Sequence, residues 1–253
     1  MILTDHEVER YARQVVMPEI GETGQKKLLR AKVLVLGAGG LGAPVIAGLA
    51  GAGIGHLTLI DDDAVELTNL NRQIIHSMDR LGQNKAESAA VFARALNPDI
   101  TLRVDAERFV PQNASELVNG HDLVVDCTDN AETRYLANQV CQTSGTPLVF
   151  AGAVRTDGQI TCFVPTVADS PCLRCIFPQT DLDYDQAPSC STAGVLGPTT
   201  LVMGALQTAE VIKLLTGIGT PLIGRLLLYD GLSASLTEIE VAADKDCPVC
   251  GQG

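Results

Sequence analysis

The chain has 253 residues, 46% of them apolar, and a net charge of −12 at pH 7. That is enough apolar material for one generous domain or two small ones, and the acidity excludes binding nucleic acid through a broad basic surface. The opening MILTDHEVERYAR lacks the apolar core of a signal peptide, and the apolar run at 196–206 is too short to span a bilayer. The expectation is a soluble cytoplasmic protein with neither a membrane nor a nucleic-acid partner.

In chain order, Thr4 to Glu7 fits a capping box that starts a helix ending near Pro18, and 22–30 fits a second short helix. Strands and helices then alternate. KVLVLG reads as a buried strand, 40–52 as a helix of small residues, HLTLID as the next strand, and 84–96 as a helix closed by Asn97-Pro98. ITLRVDA, a short helix near 113–119, DLVVDC, a helix over 131–144 and PLVFAGA complete the series. Repeated βα units predict an α/β fold with a Rossmann-like, mostly parallel sheet covered on both faces.

Near residue 155 the pattern changes. GQITCFVP, RLLLYD and SLTEIEVA read as antiparallel strands that extend the sheet, and 198–216 as a helix. Phe177 to Ser189 has no period and is rich in Pro, Asp and Gln, so it reads as a flexible loop. The expected organisation is a helical arm (1–30), a nucleotide-binding part (31–155) and an antiparallel part (156–253), joined in one compact body.

Gly37, Gly39 and Gly42 are spaced G-x-G-x-x-G between a strand and a helix, and Gly40 opens the turn further. Such a turn brings backbone to a phosphate at a helix N-terminus, where unpaired N–H groups favour anions. Asp61, at the next strand end, suits ribose hydroxyls, although Asp62 and Asp63 follow and a solvated loop acid is the bland alternative. Asn69, Arg72 and Gln73 come next, with Lys85 on the following helix. A dinucleotide site needs few cations, because backbone amides hold its diphosphate. Two charges 4 Å apart interact by about 4 kcal/mol at an effective dielectric of 20. An Arg and a Lys converging downstream of this turn therefore favour ATP over NAD, even though each alone is more often a solvated surface group.

Asp126 and Asp129 fall at a strand's C-terminal end, where a carboxylate can hold Mg²⁺ beside phosphates; the alternative is that Asp129 or Asn130 caps the next helix. Cys172 and Cys175, with Cys247 and Cys250, form two C-x-x-C pairs that suit tetrahedral Zn²⁺, with redox disulfides as the alternative. Cys190 is unpaired after the loop and reads either as a nucleophile or as an inert thiol. Cys127, Cys141 and Cys162 fall within predicted elements and are assigned to the core, and the four His residues form no visible metal set.

Together RYARQ (10–14), GAGGLG (37–42), TNLNRQ (68–73), GQNKAES (82–88), DCTDN (126–130), GQITCF, CLRCIFP, SCSTAGVLGP and CPVC resemble the bacterial ubiquitin-activating-like adenylyltransferases of the ThiF, MoeB and HesA type. The resemblance covers nearly the whole chain. It implies an enzyme that binds ATP–Mg²⁺ and a ubiquitin-fold sulfur carrier protein ending in Gly-Gly. The carrier's carboxylate becomes an acyl-adenylate, which a sulfur donor converts to a thiocarboxylate for thiamine, molybdenum-cofactor or related sulfur transfer. By the resemblance, Gly37, Gly39, Gly40, Gly42 and Asp61 meet the nucleotide, as do Thr68, Asn69, Leu70, Asn71, Gln73 and Asn130. Asn69, Arg72 and Lys85 meet the triphosphate and its leaving group, Asp129 holds Mg²⁺, and Arg13 reaches the triphosphate from the partner in a homodimer. Cys190 matches a cysteine that can join to the carrier, and Thr68 stands where the family commonly has Ser. Two other readings stay open: a relative that adenylates a small molecule or modified tRNA base, and a non-catalytic protein that docks a ubiquitin fold.

Overall fold

A computed structural model describes residues 2–178 and 190–251, with the backbone alone for Cys190 and Ser191. The loop expected over 177–189 therefore lies, from 179 onward, outside the described residues. The elements are α1 (Asp5–Arg10), α2 (Ala12–Val15), α3 (Gly21–Arg30), β1 (Lys32–Leu36), α4 (Gly42–Ala52), β2 (His56–Ile60) and α5 (Lys85–Leu96). There follow β3 (Thr101–Asp105), α6 (Pro111–Val118), β4 (Leu123–Asp126), α7 (Ala131–Ser144), β5 (Leu148–Val154) and β6 (Asp157–Phe163). The last are α8 (Leu173–Ile176), α9 (Cys190–Ala193), α10 (Gly197–Thr216), β7 (Arg225–Asp230) and β8 (Ser235–Glu240).

The strands form one sheet in the order β3-β2-β1-β4-β5-β6-β7-β8. β1 to β5 run parallel, and β6, β7 and β8 add antiparallel to the β5 edge. This is the α/β architecture the alternation predicts. The apolar run of β1 is continuous because both of its faces are covered. Val33 and Val35 pack with α4, α5 and α10, while Leu34 and Leu36 pack with α6 and α7. β1 lies between β2 and β4, so the connections diverge at its C-terminal end and leave a crevice there.

Thr4 forms the predicted capping box, since its hydroxyl accepts from the Glu7 N–H and the Glu7 carboxylate accepts from the Thr4 N–H. The helix does not run on to Pro18, however. It breaks at Tyr11, whose ring is buried and whose hydroxyl accepts a hydrogen bond from Asn97 at 2.9 Å. The ring occupies the space where a side chain at Gly53 would stand, 2.5 Å from the position of a Cβ. No helix among the described residues is long and apolar enough to cross a membrane.

The turn from β1 into α4 closes tightly, because a Cβ on Gly42 would lie 2.0 Å from the Gly37 carbonyl oxygen. Gly42→Ala must therefore open the turn. The expected cost is about 3 kcal/mol, the upper end of overpacking penalties, read in a denaturant melt. A variant as stable as the parent would refute this closure.

Candidate active site

The crevice at the β1 end is a cleft of about 330 Å³. Its floor is the glycine turn. Gly37 adopts a left-handed φ of +92°, and its N–H donates to Ile60 O at 2.8 Å. The Ala38 N–H donates to Asp61 Oδ2 at 2.7 Å, and the Asp63 N–H to Asp61 Oδ1 at 2.9 Å. Both Asp61 oxygens are thus fixed at the mouth of the turn. Burial pushes the Asp61 carboxyl up, opposed by the Ala38 N–H and by the charge of Lys85. Gly39, Gly40 and Leu41 line the cleft, and their N–H groups have no acceptor among the described residues. They precede an 11-residue helix, so dipole and donors together form an anion cradle.

The cations approach from the long loop after β2 and from the start of α5. Lys85 is the first residue of α5, capped by Asn84, whose Oδ1 accepts from the Glu87 N–H. Its side chain is nearly buried, with Nζ 2.7 Å from Asp63 Oδ2. Arg72 is held by Nη1 donating to Thr68 O and Asn71 Oδ1, each at 3.0 Å. Gln73 is buried in the wall, and its side-chain oxygen has no partner among the described residues. Asn69 is also buried, accepting from the Glu66 N–H. These four line the cleft with Gly37, Asp61, Asp129 and Asn130.

At the end of β4 the acids divide. Asp126 is fully buried and accepts from the Thr128 N–H and hydroxyl. Asn130 caps α7, its Oδ1 accepting from the Thr133 N–H at 2.9 Å. Asp129 remains exposed at the cleft, the carboxylate available to a divalent cation beside phosphates.

Other residues singled out in the sequence lie elsewhere. Gly42 lies behind the turn. Thr68 is exposed and bonds Glu66, and Leu70 and Asn71 do not line the cleft, Asn71 acting instead on Arg72. Arg13 is exposed on α2 and does not line this chain's own cleft. Cys190 begins α9, and its side chain lies outside the description. Cys127, Cys141 and Cys162 are buried as expected, with thiols that burial pushes up.

A second cleft, of about 550 Å³, runs over β5 to β8 past Gly152, Gln159, Leu228 and Thr237. Asp129, Arg134 and Ala153 line both clefts, so the two meet there. Arg134 escaped the sequence reading. Its Nη2 donates to the carbonyls of Thr128 and Ala151, its Nε lies 3.8 Å from Asp126, and its guanidinium lies 5.1 Å from the Phe150 ring centroid. Its signal in the sequence is an Arg in the first turns of the helix after the acidic strand end.

The two C-x-x-C pairs converge, with all four sulfurs within 4.8 Å of one another. Sγ of Cys172 lies 3.6 Å from that of Cys247 and 4.0 Å from that of Cys175, which is 3.3 Å from that of Cys250. Tetrahedral zinc with bonds of about 2.3 Å sets sulfurs about 3.8 Å apart, so the set fits zinc. Backbone N–H groups of Cys172 and Asp244 point at the Cys175 sulfur. Burial pushes the Cys247 thiol up, but the N–H groups of Cys250 and Val249 and the neighbouring thiols outweigh it and bring it to about 7.

Fold and cleft define a nucleotide-binding α/β protein that also carries a tetrathiolate site. The ThiF family model matches residues 11–249, and the chain belongs to that family. It is similar to the SAMP-activating enzyme E1 of Haloferax volcanii, 45% identical over 247 residues, which span 98% of this chain and 90% of that one. It is also similar to the sulfur carrier protein adenylyltransferase of Thermus thermophilus, 43% identical over 251 residues, with 98% and 92% covered. Among solved structures, that of Escherichia coli MccB with ATP superposes with a TM-score of 0.79 at 27% identity, covering 90% of this chain and 69% of that one.

Proposed function

We propose that this chain is an adenylyltransferase that uses ATP to activate the C-terminal carboxylate of a ubiquitin-fold sulfur carrier ending in Gly-Gly. The observation that carries the reading is the meeting of the two clefts at Asp129, Arg134 and Ala153. One cleft has an anion cradle and two cations. The other is a groove over the antiparallel strands, suited to an extended tail. Where they join, a carboxylate oxygen from the tail can attack the α-phosphorus. The P–O bond to the β-phosphate breaks, pyrophosphate departs, and the carrier acyl-adenylate remains. The names of the relatives, a SAMP-activating E1 and a sulfur carrier protein adenylyltransferase, favour this substrate over a small molecule, a tRNA base or a purely docking role.

In this reading the N–H groups of Gly39, Gly40 and Leu41 hold phosphate oxygens, and Asp61 accepts from the ribose hydroxyls. Arg72 and Lys85 offset charge on the triphosphate and on the departing pyrophosphate. Asp129 would hold Mg²⁺, whose contribution is to neutralise charge on the leaving group. Arg13 is exposed on α2 beside Val16 and Met17, both exposed apolar residues, and it serves the cleft of a second copy in a homodimer. The Cys190 thiolate attacks the carbonyl carbon of the acyl-adenylate and AMP leaves, which joins the carrier as a thioester; sulfide-level sulfur from a separate cytoplasmic donor then attacks the thioester, giving the thiocarboxylate and returning the thiolate. Zinc is structural.

Carrier-dependent ATP–pyrophosphate exchange tests the reading. Asp129→Ala should lower exchange by roughly 10²-fold or more, the scale of losing one transition-state charge stabiliser, while the melting temperature stays unchanged. No exchange by the parent with any Gly-Gly carrier would overturn the function. Near-normal exchange by the variant would leave Asp129 without a role in the step.

A further inference from the structure

His76 is buried and lies outside the lining of both clefts, and the proposed reaction does not use it. Its Nε2 stands 2.9 Å from the carbonyl oxygen of Ala38, and its Nδ1 stands 2.9 Å from the hydroxyl of Ser88. A carbonyl only accepts, so Nε2 carries the proton. Burial pushes the His76 pKa down; the bond to Ala38 opposes this, while Lys85 and Arg80 reinforce it. In the neutral ring Nδ1 then accepts from the Ser88 O–H. Arg80 completes the chain, its Nη1 donating to Ser88 O at 2.6 Å and to Ser88 Oγ at 3.3 Å.

Two successive peptide units of the glycine turn are thereby held from opposite ends. The N–H of the Gly37–Ala38 unit is fixed by Asp61, and the C=O of the Ala38–Gly39 unit by His76. The chain has no cis peptide bond among the described residues, and in a trans unit C=O and N–H point in opposite directions. A carbonyl drawn towards His76 therefore aims the Gly39 N–H the other way, and that N–H has no acceptor among the described residues. Without the imidazole, the Ala38 oxygen loses its side-chain donor and the unit gains freedom to rotate. Ser88 sits on α5, the helix that begins with Lys85, so the same ring ties the turn to the helix carrying the cation.

We propose that His76 is a positioning residue for the nucleotide: by donating to Ala38 O it holds the Gly39 N–H towards the phosphates, and through Ser88 it fixes the glycine turn against the Lys85 helix. The inference rests on the reading of the first cleft as an ATP site. It separates phosphate binding from nucleoside binding, a distinction that a merely structural histidine would not make.

The test compares ATP with adenosine by equilibrium binding in the presence of Mg²⁺. His76→Phe keeps the ring volume and removes the donor. It should weaken ATP by about tenfold, the scale of one hydrogen bond to a charged group, and change adenosine by less than about twofold. The amide of His76→Gln reaches the Nε2 position and retains a donor, so it should keep ATP binding within about threefold of the parent. The shorter amide of His76→Asn reaches only the Nδ1 position and should show the selective loss, which keeps the comparison decisive if the Phe variant does not fold. Equal losses of ATP and adenosine, an unchanged ATP affinity in both Phe and Asn variants, or failure of Gln to do better than Asn would overturn the role of His76. A parent chain with no preference for ATP over adenosine would instead overturn the ATP reading itself.

Discussion

Lys85→Ala should lower carrier-dependent pyrophosphate exchange by roughly 10²–10³-fold, the loss seen when one preorganised donor is removed from developing charge. The reason lies in how the lysine is held. Its backbone N–H donates to Asp63 O, its stem is buried in the cleft wall, and its ammonium pairs with Asp63 at 2.7 Å. The Asp63 side chain is 67% exposed, so the pair is half solvated. An ion pair of that kind is worth about 0–1 kcal/mol, and the ammonium can move to a triphosphate at little cost. The gain at the phosphates is larger, because charge builds on the departing pyrophosphate beside an ammonium whose own side chain is nearly buried. For the same reason Lys85→Ala should leave the melting temperature nearly unchanged, since Asp63 stays hydrated. Asp63→Ala is the control: it should retain exchange within about fivefold, because its pair with Lys85 contributes little. If both variants lose exchange equally, Lys85 acts by bracing the Asp63 loop rather than by meeting phosphate.

The parallel half of the sheet was legible because each strand there is an apolar run followed by a helix with its own start and stop signals. Asn84 and Asn130 cap α5 and α7 within a residue of the predicted starts, since an N-cap acts through a local bond to a backbone N–H two or three residues on. That the glycine turn, Asp61 and Lys85 share one cleft could also be read, because it follows from residue type and short spacing. Contacts made across the sheet could not. Arg134 touches carbonyls on the loop after β4 and on β5, which are neighbours only once the strands are ordered. His76 meets Ala38 across 38 residues, and nothing in the periodicity of either segment records that meeting. The break at Tyr11 is of the same kind: the local pattern continues, and a distant Gly53 and Asn97 decide otherwise. Short α8 has no helical pattern at all, its one turn being capped by Cys172 and containing Cys175 of the tetrad.

The tetrad carries the second large effect. Protein prepared without chelators should contain one zinc per chain, and Cys250→Ser should lose the metal and melt at lower temperature. The two halves of the site are anchored unequally. On the α8 side, Leu173 packs into the core, its N–H donates to Asn138 at 2.9 Å, and the Phe177 carbonyl accepts from the Tyr135 hydroxyl. That side holds without help. The C-terminal side has little of its own, since every residue of β8 is exposed, as are Asp244, Lys245 and Asp246. Cys247 is the buried residue of that tail, and four sulfurs this close repel one another once ionised unless a cation sits among them. A net contribution of about 3 kcal/mol from the metal would lower the midpoint by roughly 6–12 °C in a chain of this size. Hydrogen exchange should then rise in residues 241–251 and not in α7 or α8. ATP binding should survive, because the cleft at the end of β1 shares no residue with the tetrad. Absence of zinc by elemental analysis, with a mass about 2 Da lighter for each cysteine pair, would mean that the four thiols form disulfides instead.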